Sequence, residues 1–175
     1  MNGAERWGAD EALDELYAAH WGQLVRLAVL LVHDVGTAEE VVQDSFVAMH
    51  RHWRRLRDPD RALPYLRQCV VNRARSQLRH RAVVERHARA EAARASREEA
   101  EDGASAAARR DAVLAALGRL PERQREVLVL RHYLDLSEAD IATTLGISRG
   151  AVKSHAHRGS AALREHLADY WEDPS

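Results

Sequence analysis

The sequence lacks several features that define whole classes of protein. Its single cysteine, Cys69, excludes an internal disulfide and predicts a cytoplasmic protein, and its position beside Leu66 and Val70 on a helical face indicates packing rather than reactivity. No apolar run of about 18 residues and no signal peptide is present, so we expect no membrane insertion. One phenylalanine and few β-branched runs argue against an extensive sheet. Because hydrophobic residues still make up 46%, enough for helical cores, we predict an all-α fold.

Lysine is almost absent, and the formal net charge of −1 hides an uneven distribution of charge. Residues 1–50 hold nine acidic residues and two arginines, whereas residues 51–89 hold twelve arginines and three acidic residues. An acidic block followed by a basic block predicts two partners, a basic protein surface and a polyanion. The alternative for the basic block is that its arginines pair with acids on neighbouring helices.

Residues 136–164, LSEADIATTLGISRGAVKSHAHRGSAALR, have the pattern of a helix-turn-helix. Ser137 and Asp140 match a capping box, Gly146 suits the positive φ that ends a helix, and Ser148 caps a second helix from Arg149. The predicted buried seam consists of Ile141, Ala142, Leu145, Ile147, Val152 and Leu163. The second helix carries no acid as far as residue 164, and it presents side chains that can reach phosphates or base edges in a major groove. These are Arg149, Lys153, Ser154, His155, His157 and Arg158. A solvated helix pair in an unrelated all-α protein is the alternative.

The first half of the chain predicts three amphipathic helices. The first spans residues 11–32, and its apolar stripe includes Tyr17. The second begins after Thr37, where Thr37 and Glu40 match a capping box. The third begins with Pro64 as its first residue and ends at about Arg81. Its start follows a short polar loop that contains Pro59.

Residues 83–108 consist largely of Ala, Arg, Glu and Ser, with almost no large apolar side chain. They could form helix but have little to bury, so we predict a mobile linker. Apolar periodicity resumes at Val113 and Leu114 and continues, through a helix start at Pro121, into the helix-turn-helix. The sequence therefore predicts two small helical domains, residues 11–82 and 109–168, joined by the flexible linker at 83–108.

Three stretches resemble, in order, the sequence blocks of one protein family. They are TAEEVVQDSFVAMHRHW at 37–53, PYLRQCVVNRARSQLRHR at 64–81 and LPERQREVLVLRHYLDLSEADIATTLGISRGAVKSHAHRGSAALR at 120–164. On these stretches the chain resembles an extracytoplasmic-function sigma factor of the sigma-70 family, a small initiation subunit of bacterial RNA polymerase. The arginine- and alanine-rich composition further suggests a high-GC actinobacterial source and a SigE-like subfamily.

The resemblance implies a sigma region 2 domain at 11–82, a sigma region 4 domain at 109–168, and no cofactor or metal. It implies that the chain binds core RNA polymerase, through the β′ clamp and the β flap, and directs initiation at promoters. The residues that correspond to clamp-binding positions are Glu40, Gln43, Asp44, Val47 and His50. Their acidic and amide character suits a basic coiled coil, although a solvated helix face is the alternative.

The loop at 56–64 and the third helix resemble the element that captures the minus-ten promoter sequence as a melted strand. The resemblance implies that Asn72 hydrogen-bonds to a base edge. It also implies that arginines of the third helix hold the phosphate backbone of the melted strand. The corresponding residues are Leu56, Tyr65, Arg67, Asn72, Arg73, Arg75 and Arg79. Only Trp53 and Tyr65 are nearby aromatic residues for stacking, and Asn72 as an ordinary surface residue is the alternative.

The helix from Arg149 resembles the element that binds the minus-thirty-five sequence. The family's recognition positions correspond to Arg149, Lys153, Ser154, His155 and Arg158, and His157 lies between them. His155 and His157 replace residues common in the family, so base preference does not transfer. Two histidines at this spacing point about 200° apart on a helix, which argues against a metal site.

Two other classes of protein are less consistent with the sequence. A free-standing helix-turn-helix regulator would share residues 136–164 but usually has a domain with parallel strands, which residues 1–80 do not indicate. An enzyme is disfavoured because the chain has no Gly-rich phosphate loop and no His-Glu-x-x-His motif. The family resemblance also implies a separate anti-sigma protein as regulator.

Overall fold

The computed structural model describes residues 9–56, 58–91 and 106–171, and these form helices without any strand. The helices are α1 (Ala9–Val32), α2 (Val35–His52), α3 (Ala62–Glu91), α4 (Ala106–Arg119), α5 (Glu122–His132), α6 (Glu138–Leu145) and α7 (Arg149–Trp171). Two single 3-10 turns, Trp53–Arg55 and Pro59–Arg61, lie between α2 and α3. The predicted all-α fold is confirmed. None of the described helices is both long and apolar enough to cross a membrane.

The first domain is a bundle of α1, α2 and α3, which pack against one another in all three pairs. Its core consists of fully buried aliphatic side chains, chiefly Leu24, Leu27, Leu31, Val42, Met49, Leu66 and Val70. Ser45 lies among them because its hydroxyl donates a 2.7 Å hydrogen bond to the carbonyl of Val41, one turn earlier. Tyr17 departs from the predicted stripe: its side chain is 46% exposed and stacks on Trp21 at the surface.

Two predicted helix starts in this domain are wrong. The N-cap of α2 is Asp34, whose extended backbone and carboxylate, which accepts the amide of Thr37 at 2.7 Å, begin the helix two residues before Thr37. Helix α3 begins at Ala62, directly after the 3-10 turn that Asp58 caps. Pro64 therefore lies inside the first turn of α3, where its missing N–H has no helical partner to lose.

Helix α3 also extends to Glu91, about ten residues beyond the predicted end near Arg81. The first part of the predicted linker is thus helical, and α4 already begins at Ala106. The rest of the predicted linker, residues 92–105, lies outside the described residues. The division at 82 and 109 remains a prediction.

The second domain consists of α4 to α7 around a core that includes Leu117, Leu120, Val127, Leu130, Ile141 and Val152. Val113, at which the apolar periodicity resumes, does not join this core, because it is 38% exposed. Helices α5 and α7 approach closely at Gly159, where a Cβ atom would lie 3.1 Å from a methyl carbon of Leu128. A glycine at this position therefore sets the distance between the two helices.

The predicted helix-turn-helix is confirmed, although Ile147 and Leu163 of its predicted seam are only partly buried. The Ser137 hydroxyl accepts the amide of Asp140 at 3.1 Å, and Gly146 ends α6 with φ 65°. Ser148 caps α7 by accepting the amide of Ala151 at 3.1 Å. Helix α7 is longer than expected and continues to Trp171, so its last turns carry the acids Glu165 and Asp169. The acid-free surface is its first half.

The two domains touch each other. Helix α1 contacts α4 and α5, and α3 contacts α6. Tyr133 connects the domains directly, because its hydroxyl accepts from Arg26 Nε at 3.0 Å and donates to the carbonyl of Gln23 at 3.3 Å. On the same side, the guanidinium of Arg125 lies 3.3 Å from Nε2 of His33.

Candidate polymerase and promoter interfaces

The outer face of α2 brings together all five predicted polymerase-binding residues. Val41, Val42, Ser45 and Met49 face the core, and the helical period therefore places the intervening positions in solvent. Exposed on that outer face are Glu40, Gln43, Asp44, Val47 and His50. The face combines two carboxylates and an amide with one exposed apolar side chain, Val47 at 45%.

An open groove of about 380 Å³ separates this face from α3. Its lining residues come from both helices and are Val41, Asp44, Arg73, Ser76, Gln77 and His80. Across the groove the Arg73 guanidinium lies 3.5 Å from the Asp44 carboxylate. A residue predicted to bind polymerase and one predicted to bind promoter DNA are therefore direct neighbours.

The predicted minus-ten element contains a stacked pair of rings. The imidazole of His52, at the end of α2, lies parallel to the Tyr65 ring with centroids 4.5 Å apart and an interplanar angle of 8°. Trp53 and Leu56 pack partly buried against the core nearby. No local sequence pattern predicts a role for His52, because only the loop between α2 and α3 brings it beside Tyr65.

Burial, together with the neighbouring Cys69, raises the pKa of Tyr65. Burial also raises the pKa of the Cys69 thiol, and the nearby Tyr65 hydroxyl offsets this only in part. Since the thiolate is the reactive form, the raised pKa agrees with the predicted packing role of Cys69. The side chain is partly rather than fully buried.

The polar residues of α3 differ in what they contact. Asn72 is exposed, and its side-chain oxygen accepts a hydrogen bond from Arg75 at 3.4 Å. Arg75 itself is turned toward the second domain, where it forms ion pairs with Glu122 and Glu126. Arg79 also reaches Glu122, at 3.4 Å. The alternative for the basic block, pairing between neighbouring helices, is thus realised for these two arginines as well as for the arginine that spans the groove to α2.

Arg67 is partly buried, and its Nε atom has no hydrogen-bond partner among the described residues. Burial lowers the pKa of Arg67, while the carboxylate of Asp140 on α6 acts in the opposite direction. Arg67 therefore also faces the second domain. Of the four arginines predicted to hold the strand backbone, three lie at or near the interdomain contact and only Arg73 points to the groove beside α2.

The first half of α7 presents most of the predicted minus-thirty-five residues to solvent. Exposed are Arg149, Lys153, Ser154, His157 and Arg158. Lys153 has an acidic neighbour, Glu138 of α6, at 3.8 Å, but its side chain remains 67% exposed. His155 differs from the others because it is partly buried and its Nδ1 atom has no partner among the described residues. Within the described part of the chain, no three side chains form a group that could hold a metal ion.

Comparisons with known proteins agree with this architecture. Residues 16–84 match the family Sigma-70 region 2, and residues 110–163 match Sigma-70, region 4. The chain is 32% identical over 164 residues to RNA polymerase sigma factor CarQ of Myxococcus xanthus, with 94% of each protein covered. It is 33% identical over 154 residues to ECF RNA polymerase sigma factor SigL of Mycobacterium tuberculosis, with 85% of each covered. The chain is an extracytoplasmic-function sigma factor of the sigma-70 family.

A solved structure of CnrH in complex with the cytosolic domain of CnrY resembles this ECF sigma factor. The TM-score is 0.68 with 26% identity, and the match covers 92% of this chain and 95% of the other. As a sigma factor the protein binds core RNA polymerase and directs transcription initiation at promoters. The family resemblance of the three sequence stretches is confirmed, while the SigE-like subfamily stays a prediction.

Proposed function

We propose that the protein binds the polymerase clamp through the exposed face of α2. The observation that carries this assignment is the joint exposure of Glu40, Gln43, Asp44, Val47 and His50 on one helix face. Carboxylates and an amide around an apolar residue suit a basic helical partner. The charges at the rim orient the encounter, and Val47 becomes buried against the partner in the complex. The second domain contacts the β flap.

In the same proposal, α3 and the loop before it bind the melted minus-ten strand. Asn72 hydrogen-bonds a base edge, Leu56 and Tyr65 form part of the pocket, and arginines of α3 hold phosphates. The arginines are Arg67, Arg73, Arg75 and Arg79. Stacking by Tyr65 is supported by its existing contact with the ring of His52, since base and imidazole rings use the same flat surface.

The first half of α7 enters the major groove of the minus-thirty-five element in this proposal. Its exposed donors, Arg149, Lys153, Ser154, His157 and Arg158, lie beyond a capped turn that fixes the direction of the helix. His155 contributes from a partly buried position. The protein works in the cytoplasm without a catalytic step of its own, and a separate anti-sigma protein regulates it.

Affinity for core polymerase tests the clamp assignment. Gln43→Ala combined with Asp44→Arg should weaken binding of the full chain to purified core enzyme by about tenfold or more, because charge is reversed against a basic partner. Gln43→Ala alone should weaken it less, and it leaves the Asp44–Arg73 contact intact. Asp14→Arg, at an exposed site on α1, is the charge-matched control and should leave affinity unchanged.

Circular dichroism should show the same helix content for all these variants. Unchanged polymerase affinity in the double variant would refute the assignment of the α2 face. Equal loss in the Asp14 control would show that only net charge matters.

A further inference from the structure

Arg75 of the first domain is held by two carboxylates of the second. Its Nε and terminal NH2 atoms lie 2.9 Å and 3.0 Å from the two carboxylate oxygens of Glu126, in a two-pronged contact. Glu122 adds a carboxylate oxygen 3.1 Å from Nε, and the same oxygen lies 3.4 Å from Arg79. We call these four residues, Arg75, Arg79, Glu122 and Glu126, the interdomain ion-pair cluster.

The centre of this cluster is shielded from water. The side chain of Arg75 is 12% exposed and that of Glu126 is 3% exposed. A paired guanidinium and carboxylate in such a place attract each other more strongly than at the surface, and salt screens them less. Arg79, with 69% of its side chain exposed, is the outer and weaker member.

The planar fork of a guanidinium matches a carboxylate and a phosphate in the same way. Glu126 and Glu122 occupy Nε and one terminal nitrogen of Arg75, and the other terminal nitrogen donates to Asn72. This side chain therefore cannot hold a strand phosphate while the two domains are in contact. Carboxylates of α5 therefore take the place that the phosphates of a bound strand would take. Helix α6 of the second domain also contacts α3.

We propose that Glu122 and Glu126 are an intramolecular substitute for the promoter backbone, which keeps Arg75 and Arg79 occupied until the domains separate. The proposal rests on the proposed function, because it takes these two arginines to be strand-binding residues. It adds a competition: closure of the chain and binding of the melted strand exclude each other. Separation of the domains on core polymerase would then release the arginines where the strand is opened.

The remaining domain contact combines apolar and polar groups. Buried apolar side chains of both domains belong to one core cluster, and polar contacts also join the domains, namely the Tyr133 hydroxyl with Arg26 and the Arg125 guanidinium with His33. The buried atoms Nδ1 of His33, Nε of Arg125 and Nε of Arg67 have no hydrogen-bond partner among the described residues. Unpaired buried polar atoms oppose the closed arrangement, whereas the ion-pair cluster favours it.

The test removes the two carboxylates without changing shape. In the full chain, Glu122→Gln with Glu126→Gln should raise the radius of gyration measured by small-angle X-ray scattering. It should also tighten binding of a fluorescent, random-sequence single-stranded DNA by about tenfold, since the open fraction limits the apparent affinity. The probe has no promoter sequence because the contact proposed is to phosphate.

The control is Glu15→Gln with Glu165→Gln, two exposed acids on α1 and α7 that remove the same charge away from the cluster. Both its scattering and its affinity should match the unmodified protein. If the buried Glu126 substitution prevents folding, Glu122→Gln alone, at a side chain that is 28% exposed, should give the same effects in smaller size.

Scattering that stays unchanged in the cluster variants would overturn the proposal whatever the DNA result. An opened chain with unchanged strand affinity would also overturn it, because no competition would exist. In that case the strand affinity of the opened variant is measured again with Arg75→Gln added, which tests whether Arg75 binds the strand at all. Lower strand affinity would retain Arg75 as a strand-binding residue, and unchanged affinity would refute its assignment under the proposed function as well.

Discussion

Asp44 and Arg73 lie 3.5 Å apart across the groove between α2 and α3. One belongs to the face proposed for polymerase and the other to the helix proposed for the promoter strand. Each partner would therefore bind beside the other, and binding of one changes the charge that the other meets. A mutation of Asp44 removes this contact as well as a proposed polymerase contact, so the strength of the pair has to be known before the mutation is interpreted.

The Asp44–Arg73 pair should contribute little to stability. Both side chains are well exposed, at 64% and 40%, and the contact is long. A double-mutant cycle with Asp44→Asn and Arg73→Gln, measured by urea unfolding, should give a coupling of less than about 1 kcal/mol. A larger coupling would mean that an Asp44 variant disturbs the first domain itself, and loss of polymerase binding could then not be assigned to a direct contact.

Gly146→Ala should destabilise the second domain by about 1 kcal/mol or more. Gly146 has φ 65°, and a Cβ atom in this left-handed conformation is strained although nothing lies within 4 Å of it. Gly150→Ala is the matched control, because this glycine is in helical α7 and its Cβ would meet only the Ser148 hydroxyl at 3.9 Å. Thermal unfolding should show Gly150→Ala unchanged or slightly stabilised. Equal losses in both variants would contradict the role of the turn.

Acid should weaken the contact around His33. Burial, then the charges of Arg125 on α5 and Arg81 on α3, lower the pKa of His33 from 6.5 to about 4. Between these values the unfolded chain binds a proton that the folded chain does not, so stability is lost as the pH falls from 6.5 toward 4. Above pH 6.5 this residue has no effect on the pH dependence.

His33→Asn isolates that contribution. His33 has φ 61°, and asparagine is among the residues that tolerate this conformation. Urea midpoints should fall less on acidification in this variant than in the unmodified protein. Equal pH profiles would show that carboxylates alone cause the acid sensitivity.

Lys153 and Arg158 should differ in the kind of DNA contact they make. We expect Lys153 to contact a base edge and Arg158 a phosphate. Lys153→Ala should then relax preference at one base position, while Arg158→Ala should weaken all sequences alike and reduce the salt slope by about one unit. Selection from a promoter library checks both, and an unaltered base preference for Lys153→Ala would reverse the assignment.

The isolated protein should bind duplex promoter DNA no better than micromolar at physiological salt. Residues 127–175 contain five basic and seven acidic residues, so the second domain offers little electrostatic attraction outside its recognition helix. The first domain is proposed to contact only a melted strand, and two of its arginines are occupied by α5. Fluorescence anisotropy should show sequence-specific binding once core polymerase is added. Nanomolar specific binding by the protein alone would favour an independent regulator.

Much of the architecture followed from local sequence signals. Ser137, Gly146 and Ser148 predicted the turn of the helix-turn-helix correctly, because caps and left-handed turns depend on residues within one helical turn. The exposed face of α2 followed from the period of its apolar residues. The predicted start of α2 was wrong because the side chains of Asp34 and Thr37 can both cap a helix. Which of them is the N-cap depends on where the chain leaves α1.

The sequence by itself determined the helical class, the two domains, the family and the faces that a helix turns to solvent, since each depends on spacing along one element. Only the tertiary structure decided that Arg75 faces Glu126 and that His52 covers Tyr65. These pairs are 51 and 13 residues apart in sequence and meet through packing of separate helices. A charged residue has the same sequence pattern whether its partner is DNA or a carboxylate of the same chain. Its partner depends on long-range contacts, which the local periodicity of the sequence does not predict.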